Sequence, residues 1–310
     1  RPFLPGQARQ AERPRGAAWL DNRLGTAPGL ALEQAGSAIF ALPGVPAEMK
    51  AMFASGVAPR IAARGGRVVA RRTLKIAGRT EFSVDRQLRD LYGGPGLSVT
   101  VLAGGEGIEV HILAEGGDRA EAAARGAEAD RRMAGRLGPD LFGRDDDTLA
   151  GVVGSLLAGK ECTLATAESG TAGLLAAEVT RVPGSSGWFR GGLVVYGNDL
   201  KERLAGVAPE TLERHGAVSA EVARELARGA RSRCGADYGV GITGVAGPGG
   251  GTAEKPVGLV HLAIDDDRGG GEWRLLQLGD RDLIRRRTVS AALDHLRRRL
   301  LDAGRGSVEP

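Results

Sequence analysis

The stretch T-A-E-S-G-T-A-G at residues 166–173 lies at the end of the apolar-polar run Cys162 to Ala167, and Leu174, Leu175, Ala176 and Ala177 follow it. This pattern predicts a strand over 161–167, a turn carrying Ser169, and a helix over 170–180. The unit decides the fold because the chain repeats it. Strand-like runs at 189–196, 237–243, 257–264 and 273–278 alternate with helix-like runs at 198–204, 219–233 and 281–303. Such alternation predicts a layered α/β domain with helices on both faces of a central sheet.

Upstream, Thr148 stands before Leu149, Val152, Val153, Leu156 and Leu157 at helical spacing, so a capped helix and a new domain are expected to start there, just after the acidic turn at 145–147. Between 67 and about 138 the order is strand, helix (82–91), two strands (97–102 and 108–113) and helix (119–137), which predicts a small α+β module. Before it, residues 38–42 read as a strand and 46–54 as a helix with Pro46 in its first turn. With 310 residues, two or three domains fit better than one. The chain opens on Arg1 rather than Met, and residues 1–15 are rich in Pro and Arg without apolar periodicity, so the reading is of a piece of a longer chain.

Composition narrows the function classes. Hydrophobic residues make up 42% and charged residues 26%, and no apolar run approaches the roughly 20 residues that span a bilayer, so a soluble protein with no membrane partner is expected. The formal charge of +4 is spread along the chain, and the triplets at 285–287 and 297–299 read as solvated helix faces. Nucleic acid is therefore not the expected partner. Cys162 and Cys234 are far apart and form no C-x-x-C pair, which fits a reducing cytoplasm, and the four histidines show no metal-ligand spacing. No metal and no cofactor is expected.

Ser169 has two readings. A hydroxyl at a strand-to-helix turn is commonly a helix N-cap. It can also be a nucleophile whose oxyanion is met by the backbone N–H groups of Gly170, Thr171 or Ala172. A nucleophile needs a base, and no histidine stands in a position to serve. Lysine is the alternative. Only five of the 42 basic residues are lysine, at 50, 75, 160, 201 and 255, and arginine does not deprotonate in a protein. Taken alone, Lys201 still reads as a solvated helix residue and Lys255 as a loop residue. The glycine-rich T-G-V-A-G-P-G-G-G-T at 243–252 reads either as a plain turn or as a nest of amides for phosphate; it is neither a Walker A loop nor G-x-G-x-x-G.

The ordered set A-E-S-G-T-A-G, V-P-G-S-S-G-W-F-R-G-G-L-V-V-Y-G-N-D-L-K, H-G-A-V-S and T-G-V-A-G-P-G-G-G-T-A-E-K-P-V-G resembles the C-terminal domain of the competence/damage-inducible CinA family. N-R-L-G-T-A-P-G at 22–29 and L-P-G-V-P-A-E-M at 42–49 resemble the end of that family's molybdopterin-binding-like domain, whose front, with its G-G-L-G-P-T-x-D-D stretch, is not found. The resemblance implies a domain remnant at 1–62, a KH-like α+β module at 63–144, an α/β/α amidase domain at 145–304 and a tail at 305–310. It implies nicotinamide mononucleotide amidohydrolase activity, which releases ammonia and leaves nicotinate mononucleotide for pyridine nucleotide salvage, in a homodimer. Residue by residue, it implies Ser169 as nucleophile and Lys201 as base, with Tyr196 and Thr243 at further catalytic positions. Glu168, Thr171, Gly244, Gly247 and Arg281 are implied on the substrate side. Gly170 and Ala172 depart from the family's E-S-C-T-G-G, and Gly249 stands where an Asp is usual. Two other functions compete: a non-catalytic nucleotide or DNA binder using basic helices, and ADP-ribose hydrolysis, which needs the front of the first domain.

Overall fold

The sequence alternation becomes a sheet flanked on both faces in the computed structural model, which describes residues 12–65 and 68–302. The Pro/Arg-rich start up to residue 11, residue 303 of the expected last helix, and the expected tail lie outside the described residues. The chain divides into two compact units, residues 1–68 and 69–310. In the first, β1 (Ala18–Leu20), β2 (Gly29–Gln34) and β3 (Ser37–Ala41) form an antiparallel meander. Helices α1 (Pro46–Met52) and α2 (Ala58–Ala63) follow, joined by a π-helical stretch, Phe53–Val57. Leu20, Ala31, Met52 and Val57 form its small core.

The second unit begins with β4 (Val68–Ile76), α3 (Glu81–Leu88), β5 (Leu97–Ala103), β6 (Ile108–Gly116), α4 (Arg119–Leu137) and β7 (Leu141–Arg144). The sheet order is β5-β6-β4-β7. The sequence reading lacks β7, a four-residue strand directly after a Gly-Pro-Asp turn and too short for periodicity; it pairs antiparallel with β4. Leu74, Ile76, Val84, Leu88, Ile112 and Met133 fill this module's core.

The remaining elements are α5 (Leu149–Gly159), β8 (Leu164–Glu168), α6 (Leu174–Thr180), β9 (Phe189–Val194), α7 (Asn198–Ala205), α8 (Pro209–His215), α9 (Ala220–Cys234), β10 (Tyr238–Gly244), β11 (Leu259–Asp265), β12 (Gly271–Leu276) and α10 (Arg281–Asp302). Thr148 caps α5 as expected, its hydroxyl accepting the Gly151 N–H at 3.0 Å. The sheet order is β12-β11-β10-β8-β9, with β10, β8 and β9 parallel and β11 and β12 antiparallel.

Alternation along each strand splits the core into two layers. Leu164, Val240, Ile242 and Leu262 face α5, α6 and α10, together with Leu149, Leu175 and Leu293. Ala165 and Ala167 face the other way, against Val222, Leu226 and Ala230 of α9. Helix α9 presses so closely on β10 that a Cβ at Gly239 would lie 2.0 Å from Ala227 O, and one at Gly241 2.3 Å from Ala223 O. The result is the three-layer α/β/α arrangement. The chain leaves β8 toward β9 on one side and β10 toward β11 on the other, which opens a crevice at the carboxyl ends of β8 and β10.

Candidate active site

Three strand ends meet at that crevice. Ser169 directly follows β8, Val195 and Tyr196 follow β9, and Thr243 and Gly244 end β10. Backbone bonds lock them side by side: Ser169 N–H donates to Ile242 O at 3.0 Å and Val195 N–H to Glu168 O at 2.9 Å. Parallel pairing therefore gathers residues 169, 196 and 243, which are spread over 74 positions of sequence.

The expected helix over 170–180 begins only at Leu174, and residues 169–173 form a turn. Ala172 has φ 50° and Gly173 φ 87°, both left-handed, and a helix cannot run through them. Two consequences correct the sequence reading. Ser169 is not the helix cap. Glu168 does that work from the strand end: its Oε2 accepts the Leu175 N–H at 3.0 Å and its Oε1 the Ala176 N–H at 2.8 Å. The Ala172 N–H is spent on Ser169 O at 3.0 Å, which leaves the Gly170 and Thr171 N–H groups with no partner among the described residues.

Ala172 sits in the left-handed region with a methyl side chain, at a cost of roughly 1–2 kcal/mol. Glycine would remove that strain but loses about 0.5–1 kcal/mol of unfolded-chain entropy. Ala172→Gly is therefore expected to stabilise the fold by about 0.5–1 kcal/mol in denaturant unfolding; a loss of stability would overturn the strain argument. At Gly170, an added Cβ would find Gly244 O at 3.3 Å as its nearest neighbour, a tight contact that this main-chain carbonyl would have to relieve by a small shift, and at Gly249 it would meet open space. Neither departure is forced by sterics.

Lys201 is 1% exposed, on the first turn of α7. Its Nζ donates to Tyr196 O at 2.9 Å and lies 3.5 Å from Asn198 Oδ1. No carboxylate pairs with it among the described residues, and burial pushes its pKa below the usual lysine value, with Asp199 opposing weakly. This is a cation in a place that disfavours charge. Ser169 is 8% exposed and its hydroxyl makes no hydrogen bond among the described residues. Catalytic contacts of this kind often close only once substrate is bound.

The other expected residues assemble around this pair. Thr243 is buried and its hydroxyl donates to Ala217 O at 2.6 Å, pinning the H-G-A-V-S segment to the end of β10. Tyr196 holds the lysine through its main-chain carbonyl, while its exposed ring carries a hydroxyl 3.2 Å from Arg281 Nη2. Arg281 Nη1 donates to Gly247 O at 2.7 Å, so one guanidinium joins Tyr196 to the glycine-rich loop. Gly244 lies against β11, where a Cβ would come 2.7 Å from Leu259 O. Thr171 is buried with its hydroxyl unpartnered. Glu168 is 1% exposed, and its carboxylate oxygens are engaged by backbone rather than open to the crevice. Lys255 lies on the loop, its Nζ donating to His215 O at 2.7 Å.

The triplets read as solvated faces are not uniform. Arg286 is exposed, but Arg285 is half-buried and donates to Thr171 O at 2.7 Å. Arg297 is 2% exposed against Asp294, and Arg299 is paired with Asp266. Arg285 and Asn198 are the site residues that sequence reasoning missed. Arg285 stands four residues after Arg281, on the same helix face, which was the available signal.

Among the described residues, no group of three His, Cys, Asp or Glu side chains could hold a metal ion, and no helix is long and apolar enough to cross a membrane. The family model described as the CinA C-terminal domain matches residues 146–300, and that of the damage-inducible protein CinA KH domain matches 71–143. A CinA-like protein of Gloeobacter violaceus is 42% identical, with 97% of this chain and 72% of the relative aligned. A CinA-like protein of Parasynechococcus marenigrum is also 42% identical, with 97% and 73% aligned. Among solved structures, the competence/damage inducible protein CihA of Agrobacterium tumefaciens is 43% identical, covering 48% of this chain and 91% of its own, with a TM-score of 0.47. A CinA superfamily protein of Klebsiella pneumoniae is 30% identical, with 50% and 96% covered and a TM-score of 0.48.

Proposed function

The chain belongs to the CinA family, and from that premise we propose that it is a nicotinamide mononucleotide amidohydrolase working through a Ser169–Lys201 acyl-enzyme mechanism. The observation that carries the reading is the buried Lys201, without a carboxylate partner among the described residues and with a lowered pKa, held by Tyr196 O two residues past the end of β9, the strand paired with β8 just before Ser169. Neutral Lys201 takes the Ser169 hydroxyl proton as the oxygen attacks the carboxamide carbon. The unpartnered N–H groups of Gly170 and Thr171 receive the oxyanion, and such donors contribute roughly 3–4 kcal/mol each where measured. The lysine returns its proton to the departing ammonia. Water then hydrolyses the ester and leaves the nicotinate nucleotide.

The pyridinium ring favours this chemistry by withdrawing electrons from the carbonyl. The phosphate is assigned to the glycine-rich loop and Arg281, a guanidinium with no carboxylate partner among the described residues. The DNA-binding alternative gains little from the 297–299 triplet of α10, since Arg297, Arg298 and Arg299 are all tied up in ion pairs.

The test is ammonia release from nicotinamide mononucleotide, with nicotinamide riboside for comparison. Turnover of neither would remove the reading. If Arg281 grips the phosphate, Arg281→Ala should raise KM for the nucleotide roughly 10- to 100-fold, the worth of one charge-assisted hydrogen bond, with kcat little changed. The riboside should be nearly insensitive to that substitution. An equal loss on both substrates would place Arg281 elsewhere in the reaction.

A further inference from the structure

The 169–173 turn is built from residues too small to anchor it by packing. Gly170, Thr171, Ala172 and Gly173 follow Ser169, and Ala172 is exposed. Its orientation depends on polar ties. One is the Ser169 N–H bond to Ile242 O, and another is the Glu168 carboxylate beneath it. Within the turn, Ala172 N–H donates to Ser169 O at 3.0 Å and Leu174 N–H to Thr171 O at 3.2 Å. The tie from farthest away, 114 positions along the chain, is Arg285 Nη2 of α10, which donates to the same Thr171 O at 2.7 Å.

Arg286 pairs with Asp282, Arg298 with Asp294 and Arg299 with Asp266, whereas Arg285, like the exposed Arg281 and Arg287, is in no ion pair of the described residues; what sets it apart from those two is its partial burial. Its Nε is also buried with no partner, as is Thr171 Oγ1, and both residues line a cavity of about 10 Å³ beside Gly170, Gly244 and Thr288. A guanidinium held there without a counter-charge costs stability, and the bond it makes is to the main chain of the nucleophile turn.

We propose that Arg285 is a positioning residue, whose Nη2, added to the local Leu174 N–H bond, fixes the Thr171 carbonyl and so aims the Ser169 hydroxyl and the Gly170 and Thr171 N–H groups. Holding Thr171 C=O fixes the plane of its peptide unit and limits rotation of the N–H groups just before it. Arg285 acts through backbone and touches no substrate. The proposal rests on Ser169 being the nucleophile, but not on which amide it attacks.

The experiment measures two things on the full chain: the rate at which a fluorophosphonate modifies Ser169, followed by mass spectrometry, and kcat and KM on nicotinamide mononucleotide. Arg285→Ala is expected to slow modification and kcat together, roughly 10- to 100-fold, the cost of a displacement near 1 Å, with KM unchanged. Millimolar guanidinium should restore part of the rate, and ethylammonium, of equal charge, should not. Arg286→Ala is the control and should match wild type.

A wild-type modification rate in Arg285→Ala would overturn the proposal. So would a slow, folded variant that guanidinium does not rescue, because that describes a merely structural residue. If Arg285→Ala does not fold, Arg285→Met decides, since it fills the space without a donor: a wild-type rate overturns the proposal and a slowed rate supports it. Wild-type protein that is modified at Ser169 but leaves the nucleotide untouched would sink the amidase reading alone. Protein that does neither would sink both.

Discussion

Lys201→Arg is expected to release ammonia from nicotinamide mononucleotide roughly 10²–10⁴-fold more slowly than wild type, the usual worth of a positioned general base. The substitution keeps the positive charge and the hydrogen-bond donors, and removes only the ability to lose a proton. Near-normal turnover would reduce the lysine to an electrostatic partner. Ser169→Ala should lose at least as much, and the double variant little more, because nucleophile and base act as a unit. The pH profile adds a second reading. Burial depresses the Lys201 pKa below 10.5, so the neutral, active form accumulates at lower pH than for a solvated lysine. The rate should climb with pH through that ionisation, and the limb should vanish in Lys201→Arg. Stability has the same sign. Between the folded and unfolded pKa values the unfolded chain binds the extra proton, so this residue's contribution grows as pH rises. Lys201→Met should accordingly unfold at a higher temperature than wild type at neutral pH while losing turnover, and a lower melting temperature would contradict a destabilised cation.

What the sequence made legible was whatever depends on local pattern. Leu164, Thr166 and Glu168 alternate with Ala165 and Ala167, which is enough to place a buried strand, and the order of strands and helices is enough for the layers. Thr148 before an apolar helical stripe gave α5 and its cap. Nearly everything misread depended on a bond across the fold or on a single dihedral. The expected helix start at 170 fails because Ala172 and Gly173 take left-handed φ, and nothing about Gly-Thr-Ala-Gly forbids a helix beforehand. Lys201 reads as a solvated residue because N-D-L-K-E-R-L is a polar helix. Its burial comes from the fold around the first turn of α7. Three consecutive arginines at 285–287 look equivalent in sequence, and only the phase of α10 turns the first toward Thr171 and the second toward solvent.

The Glu168 carboxylate is where that limit has its largest energetic consequence. From the motif alone it stands next to the nucleophile and reads as a substrate contact. The fold instead turns it under the nucleophile, where both oxygens accept main-chain N–H groups of α6, one of them, from Leu175, fully buried. Hydrogen bonds to a charged group contribute about 1.5–3 kcal/mol each, and an orphaned buried donor adds its own desolvation cost. Glu168→Ala is therefore expected to destabilise the protein by roughly 3–5 kcal/mol, a large share of the stability of an ordinary domain. Glu168→Gln keeps one good acceptor and sets an amide N–H₂ against a backbone N–H, so about half that loss is expected. The two roles predict opposite readouts. A substrate contact would raise KM for the nucleotide in Glu168→Gln and leave the unfolding midpoint where it was. A cap lowers the midpoint, and because α6 and the 169–173 turn hang on the same carboxylate, it should lower kcat and leave KM nearly unchanged. An unshifted midpoint with a raised KM would return Glu168 to the substrate side of the site.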